Sequence, residues 1–125
     1  VRGLWESLGA AVSEMDPETH DKMFASVSHL PHLLAYASIQ AIANSETPDA
    51  LGHSGAGLKD FSRIASSSPE MWADIFLENS QNLLLRINTF KNVLSALEKA
   101  VRDNDKQKLI ELLAQAKDER DRWMS

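Results

Sequence analysis

The feature that most limits what this chain can fold into is a run of apolar residues near its end. Leu83, Ile87, Phe90, Leu94, Leu97 and Val101 alternate spacings of four and three. That heptad seam commits more than two turns to one amphipathic helix that must find a partner for its apolar edge. After Asp103-Asn104-Asp105, which reads as a turn, Leu109, Leu112, Leu113 and Ala116 repeat the helical spacing, so the pair should form a helical hairpin. Lys117–Arg122 is a solvated charge run, and Trp123 should pack or meet a partner.

The rest of the chain has the same character. Val1, Leu4, Trp5 and Leu8 fall at helical spacing, closed by Gly9. Asp16-Pro17 is a helix start, with aspartate as N-cap and proline at the first helical position. His20, Met23, Phe24 and Val27 share the stripe of that helix. Pro31 lies inside the continuing pattern, where it lacks an N–H and crowds the Val27 carbonyl, so a kink or break is expected near Ser28–Leu30. Leu33–Asn44 resumes with small residues that suit a central helix or a subunit contact. Thr47-Pro48-Asp49 reads as a loop. No strand of normal length and no internal repeat occurs. The fold class is therefore all-α, a bundle of roughly five to seven helices over residues 1–125 as a single domain.

Composition narrows the function. A net charge of −5, with no Lys/Arg run, argues against nucleic acid. With no cysteine, neither disulfides nor thiolate metal sites are available, in keeping with a cytoplasmic protein. No apolar stretch approaches the roughly 20 residues that a membrane helix needs. The chain starts at Val1, without an initiator methionine and already in a helical pattern, and reads as a piece excised from a longer protein.

Chemistry concentrates in two places. Around the expected kink, Ser28, His29 and His32 gather hydroxyl and imidazole groups next to freed backbone groups; the competing reading is that Ser28 repairs the backbone and the histidines face water. His20, on the apolar stripe, fits a hydrogen-bonded core histidine better than a ligand. Leu51–Phe76 holds three of the five glycines and then a helix from about Ala56 to Ser66, with Leu58, Phe61 and Ala65 as its buried stripe. Asp60 and Arg63 project from its other side. Ser67-Ser68-Pro69-Glu70 restarts a helix, capped by Ser67 or by Ser68, with Trp72 in its first turn. An exposed Asp–Arg pair is commonplace. Its position between a glycine loop and a serine-proline turn makes Arg63 a candidate to grip a carboxylate through two parallel hydrogen bonds. Metal binding finds no support: HExxH is absent, and Pro31 disturbs the spacing of His29 and His32. GAG at Gly55–Gly57 follows a loop and is not a dinucleotide fingerprint.

Taken in order, these motifs resemble a known family. Trp5 with Gly9, Met15-Asp16-Pro17 with His20-Asp21, SHLPH at Ser28–His32, GAGLKDFSRIA at Gly55–Ala65 and SSPEMWADI at Ser67–Ile75 follow the pattern of the C-terminal helical domain of prephenate dehydrogenases, with arogenate and cyclohexadienyl dehydrogenases as close relatives. Beyond Asn88 the likeness is helical pattern alone. The resemblance implies a substrate-binding and dimerisation domain whose Rossmann partner binds NAD or NADP and carries the catalytic histidine, so no catalytic or cofactor-binding residue is expected in this chain. The full enzyme would oxidatively decarboxylate prephenate, or act on arogenate, on the way to tyrosine. Arg63 matches the arginine that holds a substrate carboxylate, His32 the second histidine of SHLPH at the substrate, and Trp72 a pocket residue. Ser28 and His29 neighbour that wall, and His20 is a weaker candidate. The implied partners are the substrate, tyrosine as inhibitor, and a second copy in a homodimer. The alternative from another class is a non-catalytic helical dimerisation or tyrosine-sensing module, with His32, Arg63 and Trp72 on separate surfaces.

Overall fold

The computed structural model describes residues 15–47 and 49–125, and among them every regular element is helical. The expected first helix at Val1–Gly9 and the Pro48 position lie outside the described residues. The chain divides into two compact units, one ending at Arg86 and one beginning at Ile87.

In the first unit, α1 spans Pro17–Phe24 and starts as the sequence dictates: the Asp16 side chain accepts from the Thr19 N–H at 2.7 Å, with Pro17 behind it. Hydrogen bonding to Thr19 holds the Asp16 carboxyl below its ordinary pKa. Of the kink or break expected near Ser28–Leu30, no break occurs. Instead Ala25–His29 forms a π-turn, closed by the Leu30 N–H on the Ala25 carbonyl, and α2 continues over Leu30–Ala43. Widening the helix for one turn admits a ring that a regular α-turn would exclude. Leu30 keeps right-handed helical geometry (φ −61°, ψ −48°) despite preceding a proline. Ala25 and Ala35 are fully buried, whereas Ala37, Ala41 and Ala43 are exposed, so of the small residues on α2 expected to admit a close neighbour only Ala35 is enclosed.

After a 3₁₀ turn at Ala50–His53, α3 covers only Ala56–Ser62, and the helix then tightens into a second 3₁₀ turn, Arg63–Ser66. Phe61 is 45% exposed, so the stripe assigned to it from the sequence is corrected: the switch of helix type after Ser62 changes the period on which that stripe was drawn. Both α3 and the Arg63–Ser66 turn pack on α2. One bond fixes that packing: the Tyr36 hydroxyl donates to the Ser67 carbonyl at 2.8 Å, closing a loop of 31 residues and contributing about 1 kcal/mol. Next, α4 (Pro69–Glu78) is capped by Ser68, whose Oγ accepts from the Met71 N–H at 3.2 Å. The chain breaks at Asn79 (φ −120°) and α5 begins at Ser80, with Leu83 buried.

The second unit contains the remainder of α5 (Ser80–Arg102) and α6 (Lys106–Met124). Asn104 takes the left-handed conformation (φ 54°), and Asp105 accepts from the Lys108 N–H to start α6, so the acidic-amide turn is where the sequence puts it. The two helices line a groove of Val93, Ala96, Leu97, Leu112, Leu113 and Ala116. Two of the six seam residues face outward, Leu94 at 52% and Val101 at 65% exposed, and off the seam Val93 and Leu113 are each 54% exposed. Trp123 is 75% exposed and carries Arg120 over its ring at 5.0 Å.

Candidate functional site

The site grows from Trp72. Its place in the first turn of α4, fixed by the Ser68 cap and Pro69, presents the indole to the π-turn and the start of α2. It is buried to 9% exposure. His32 stacks flat against it, with ring centroids 3.7 Å apart and 16° between planes, while His29 meets it edge-on at 6.2 Å and 78°. Phe76, one turn along α4, completes the aromatic cluster at 5.6 Å. Because the π-turn ends at His29 and α2 carries His32 one turn on, both imidazoles face one indole.

The hydrogen bonds decide where the ring protons sit. His32 Nδ1 lies 2.9 Å from the Ser28 carbonyl oxygen, which can only accept, so Nδ1 carries the proton and Nε2 the lone pair of the neutral ring. Ser28 therefore acts here through its backbone. Burial, then the proximity of His32, pushes the His29 pKa below its ordinary value of 6.5, which favours the neutral ring. The unfolded chain protonates His29 first as pH falls, so the folded state's advantage from this residue is complete above about 6.5 and is lost as pH drops through the folded pKa. Denaturant midpoints followed downward from neutral pH should decline more steeply for the native chain than for His29→Gln.

Beside Trp72 lies an open cleft of about 490 Å³, lined by His20, Asp21, Phe24, His29, Glu78 and Asn79, with Ser28 and Ile75. His20 packs on Phe24 (4.5 Å) and its Nδ1 is 3.3 Å from the Asp21 carboxylate. Of the residues singled out from the sequence, His20, Ser28, His29 and Trp72 thus share one cleft, and His32 covers a face of the indole. Arg63 is not among the cleft's lining residues. It sits exposed at the head of the 3₁₀ turn that packs on α2, and among the described residues its guanidinium has no ion-pair partner, Asp60 included. Asn79 and Tyr36 were missed by sequence reasoning. Tyr36 follows His32 by four residues, a helical spacing that could have signalled it. Asn79 carries no local signal. Among the described residues no group of three His, Asp or Glu side chains could hold a metal ion. Nor do they offer a dinucleotide cradle, since Gly55 and Gly57 flank the start of a seven-residue helix that follows a 3₁₀ turn.

Among the described residues the domain is all-α and stacks imidazole and indole rings beside one cleft. Residues 16–115 match the prephenate dehydrogenase dimerization domain, and the chain belongs to that family. It is 35% identical over 115 residues to the cyclohexadienyl dehydrogenase of Zymomonas mobilis, covering 89% of this chain and 39% of that one. With the prephenate dehydrogenase of Bacillus subtilis it shares 33% over 123 residues, 97% of this chain and 33% of the relative. Among solved structures, prephenate dehydrogenase from Aquifex aeolicus, determined with hydroxyphenyl propionate and NAD+, superposes with TM-score 0.78 at 42% identity, over 85% of this chain and 38% of that one. Synechocystis arogenate dehydrogenase gives TM-score 0.81 at 28% identity, over 87% and 41%. The chain thus spans a third to two fifths of the length of these relatives. Among the described residues no helix is long and apolar enough to cross a membrane.

Proposed function

We propose that this chain is the helical, substrate-facing part of a dehydrogenase that converts prephenate, or arogenate, in the cytoplasm, with NAD or NADP held on a separate nucleotide-binding domain. The observation that carries this reading is the His32–Trp72 stack at 3.7 Å with His29 on the indole edge, inside the segment that matches the family. A ring-bearing diacid needs a flat surface for its ring and charge-assisted donors for its carboxylates, and this stretch supplies both kinds. In the oxidation the ring hydroxyl loses its proton, the carbinol carbon gives up a hydride, and the bond to the ring carboxylate breaks. Carbon dioxide leaves and the electron pair it releases completes the aromatic ring. Aromatisation drives the step, so the helical domain mainly has to orient the acid and exclude alternatives.

In this reading Arg63 holds a substrate carboxylate, His32 and Trp72 form the wall, and Ser28, His29 and His20 border it. The molecule acts as a homodimer: a second copy covers the apolar edge of α5, where Leu94 and Val101 are each more than half exposed. The test is turnover by the dehydrogenase that carries this domain. Reduced nicotinamide should form on addition of prephenate or arogenate, and a protein inert to both would sink the proposal.

A further inference from the structure

The cleft beside Trp72 contains one side chain that bonds in three directions at once. Asn79 sits at the break between α4 and α5, and its Nδ2 lies 2.8 Å from the Asp21 carbonyl oxygen and 3.3 Å from His29 Nδ1. Its Oδ1 accepts from Asn82 Nδ2 at 2.9 Å. The Asp21 carbonyl has no proton to give, so the atom facing it must be the amide NH₂; the flipped amide would set two oxygens against each other. The second amide proton then points to His29 Nδ1, which must offer a lone pair. A neutral imidazole with Nδ1 unprotonated carries its hydrogen on Nε2.

Building on the substrate-wall reading above, we infer that Asn79 is a positioning residue that locks His29 in its Nε2–H form, so that the cleft offers a hydrogen-bond donor to a carboxylate or carbonyl oxygen of the bound acid. His32, held by the Ser28 carbonyl, has the opposite tautomer, and its Nε2 accepts. The two imidazoles flanking Trp72 are therefore not interchangeable: one donates and the other accepts. Around His29, burial and the neighbouring His32 and His20 oppose protonation while Asp21 favours it, and the ring stays on the neutral side; Glu78 lines the same cleft. Anchoring to Asp21, 58 residues away, also ties the α4–α5 junction to α1, so the lock holds only in the folded chain.

Histidine ring ¹⁵N spectra of the full chain, without any ligand, test this. Native His29 should show the Nε2–H pattern. In Asn79→Asp, whose carboxylate can only accept, the proton should move onto Nδ1 and the ring should titrate at higher pH; in Asn79→Ala the two tautomers should mix. A native ring protonated on Nδ1 overturns the inference, and so does an unchanged tautomer in a folded Asn79→Ala. Should neither variant fold, the native spectrum alone decides. In the dehydrogenase, Asn79→Asp should raise KM for the acid about tenfold with a smaller change in kcat. Because the tautomer is measured without substrate, its failure leaves the substrate-wall reading standing, whereas a correct tautomer in a protein inert to both acids refutes only that reading.

Discussion

Trp72→Ala should be the most damaging single substitution in the first unit, lowering stability by about 3 kcal/mol or somewhat more. The indole is among the few large side chains that the described residues bury, and it joins three segments: the π-turn through His29, α2 through His32, and its own helix through Phe76. Truncation removes the transfer free energy of a large aromatic and leaves a void whose neighbours, anchored on two helices, can close it only partly. It also exposes the flat face of His32, whose Nδ1 bond to Ser28 is left to hold the ring alone. Trp72→Phe keeps an aromatic surface and should lose clearly less. Urea midpoints at unchanged m-value would measure both; a Trp72→Ala chain within about 1 kcal/mol of the native one would mean that the cluster does not organise this unit.

Arg63→Ala should behave in the opposite way. The residue is exposed and has no ion-pair partner among the described residues, so its removal should shift stability by no more than about 0.5 kcal/mol. In the dehydrogenase, however, kcat/KM should fall by an amount on the order of 2–4 kcal/mol, roughly 30- to 900-fold, because a carboxylate taken out of water would lose its charged partner. Arg63→Lys should recover only part of that loss, since an ammonium cannot make the paired parallel bonds of a guanidinium. Steady-state kinetics beside a thermal melt separate the two effects. Unaltered kinetics in a folded Arg63→Ala protein would remove Arg63 from the substrate site.

How much of this was legible beforehand depended on how local each cause is. The starts of α1 and α4 were written in Asp16-Pro17 and Ser68-Pro69, because a cap and a proline act within four residues. The heptad seam gave α5, and Asp103-Asn104-Asp105 gave its turn into α6. Pro31 was read as the cause of a kink or break near Ser28–Leu30, and the chain meets it with a π-turn and no break. Whether a helix breaks or widens depends on what packs around it, which no local sequence pattern states; Ala25, the first position of the π-turn, is fully buried. The aromatic stack was beyond local reading, since His32 and Trp72 are far apart in sequence and meet only once α4 lies on α2. Asn79 was the least visible, since all its meaning lies in partners on α1 and the π-turn. The motifs that marked His20, Ser28, His29, His32, Arg63 and Trp72 identified the family's residue types; the ring geometry and the tautomers came only with the fold.

On the function proposed above, the rings around Trp72 touch the substrate. The most direct measurement is a titration of the dehydrogenase with prephenate in the presence of NAD+, following the Trp72 indole N–H and the His32 ring resonances. Both should shift and saturate over the concentration range in which turnover saturates. If turnover saturates while both signals stay where they began, the acid is held elsewhere and the claim fails.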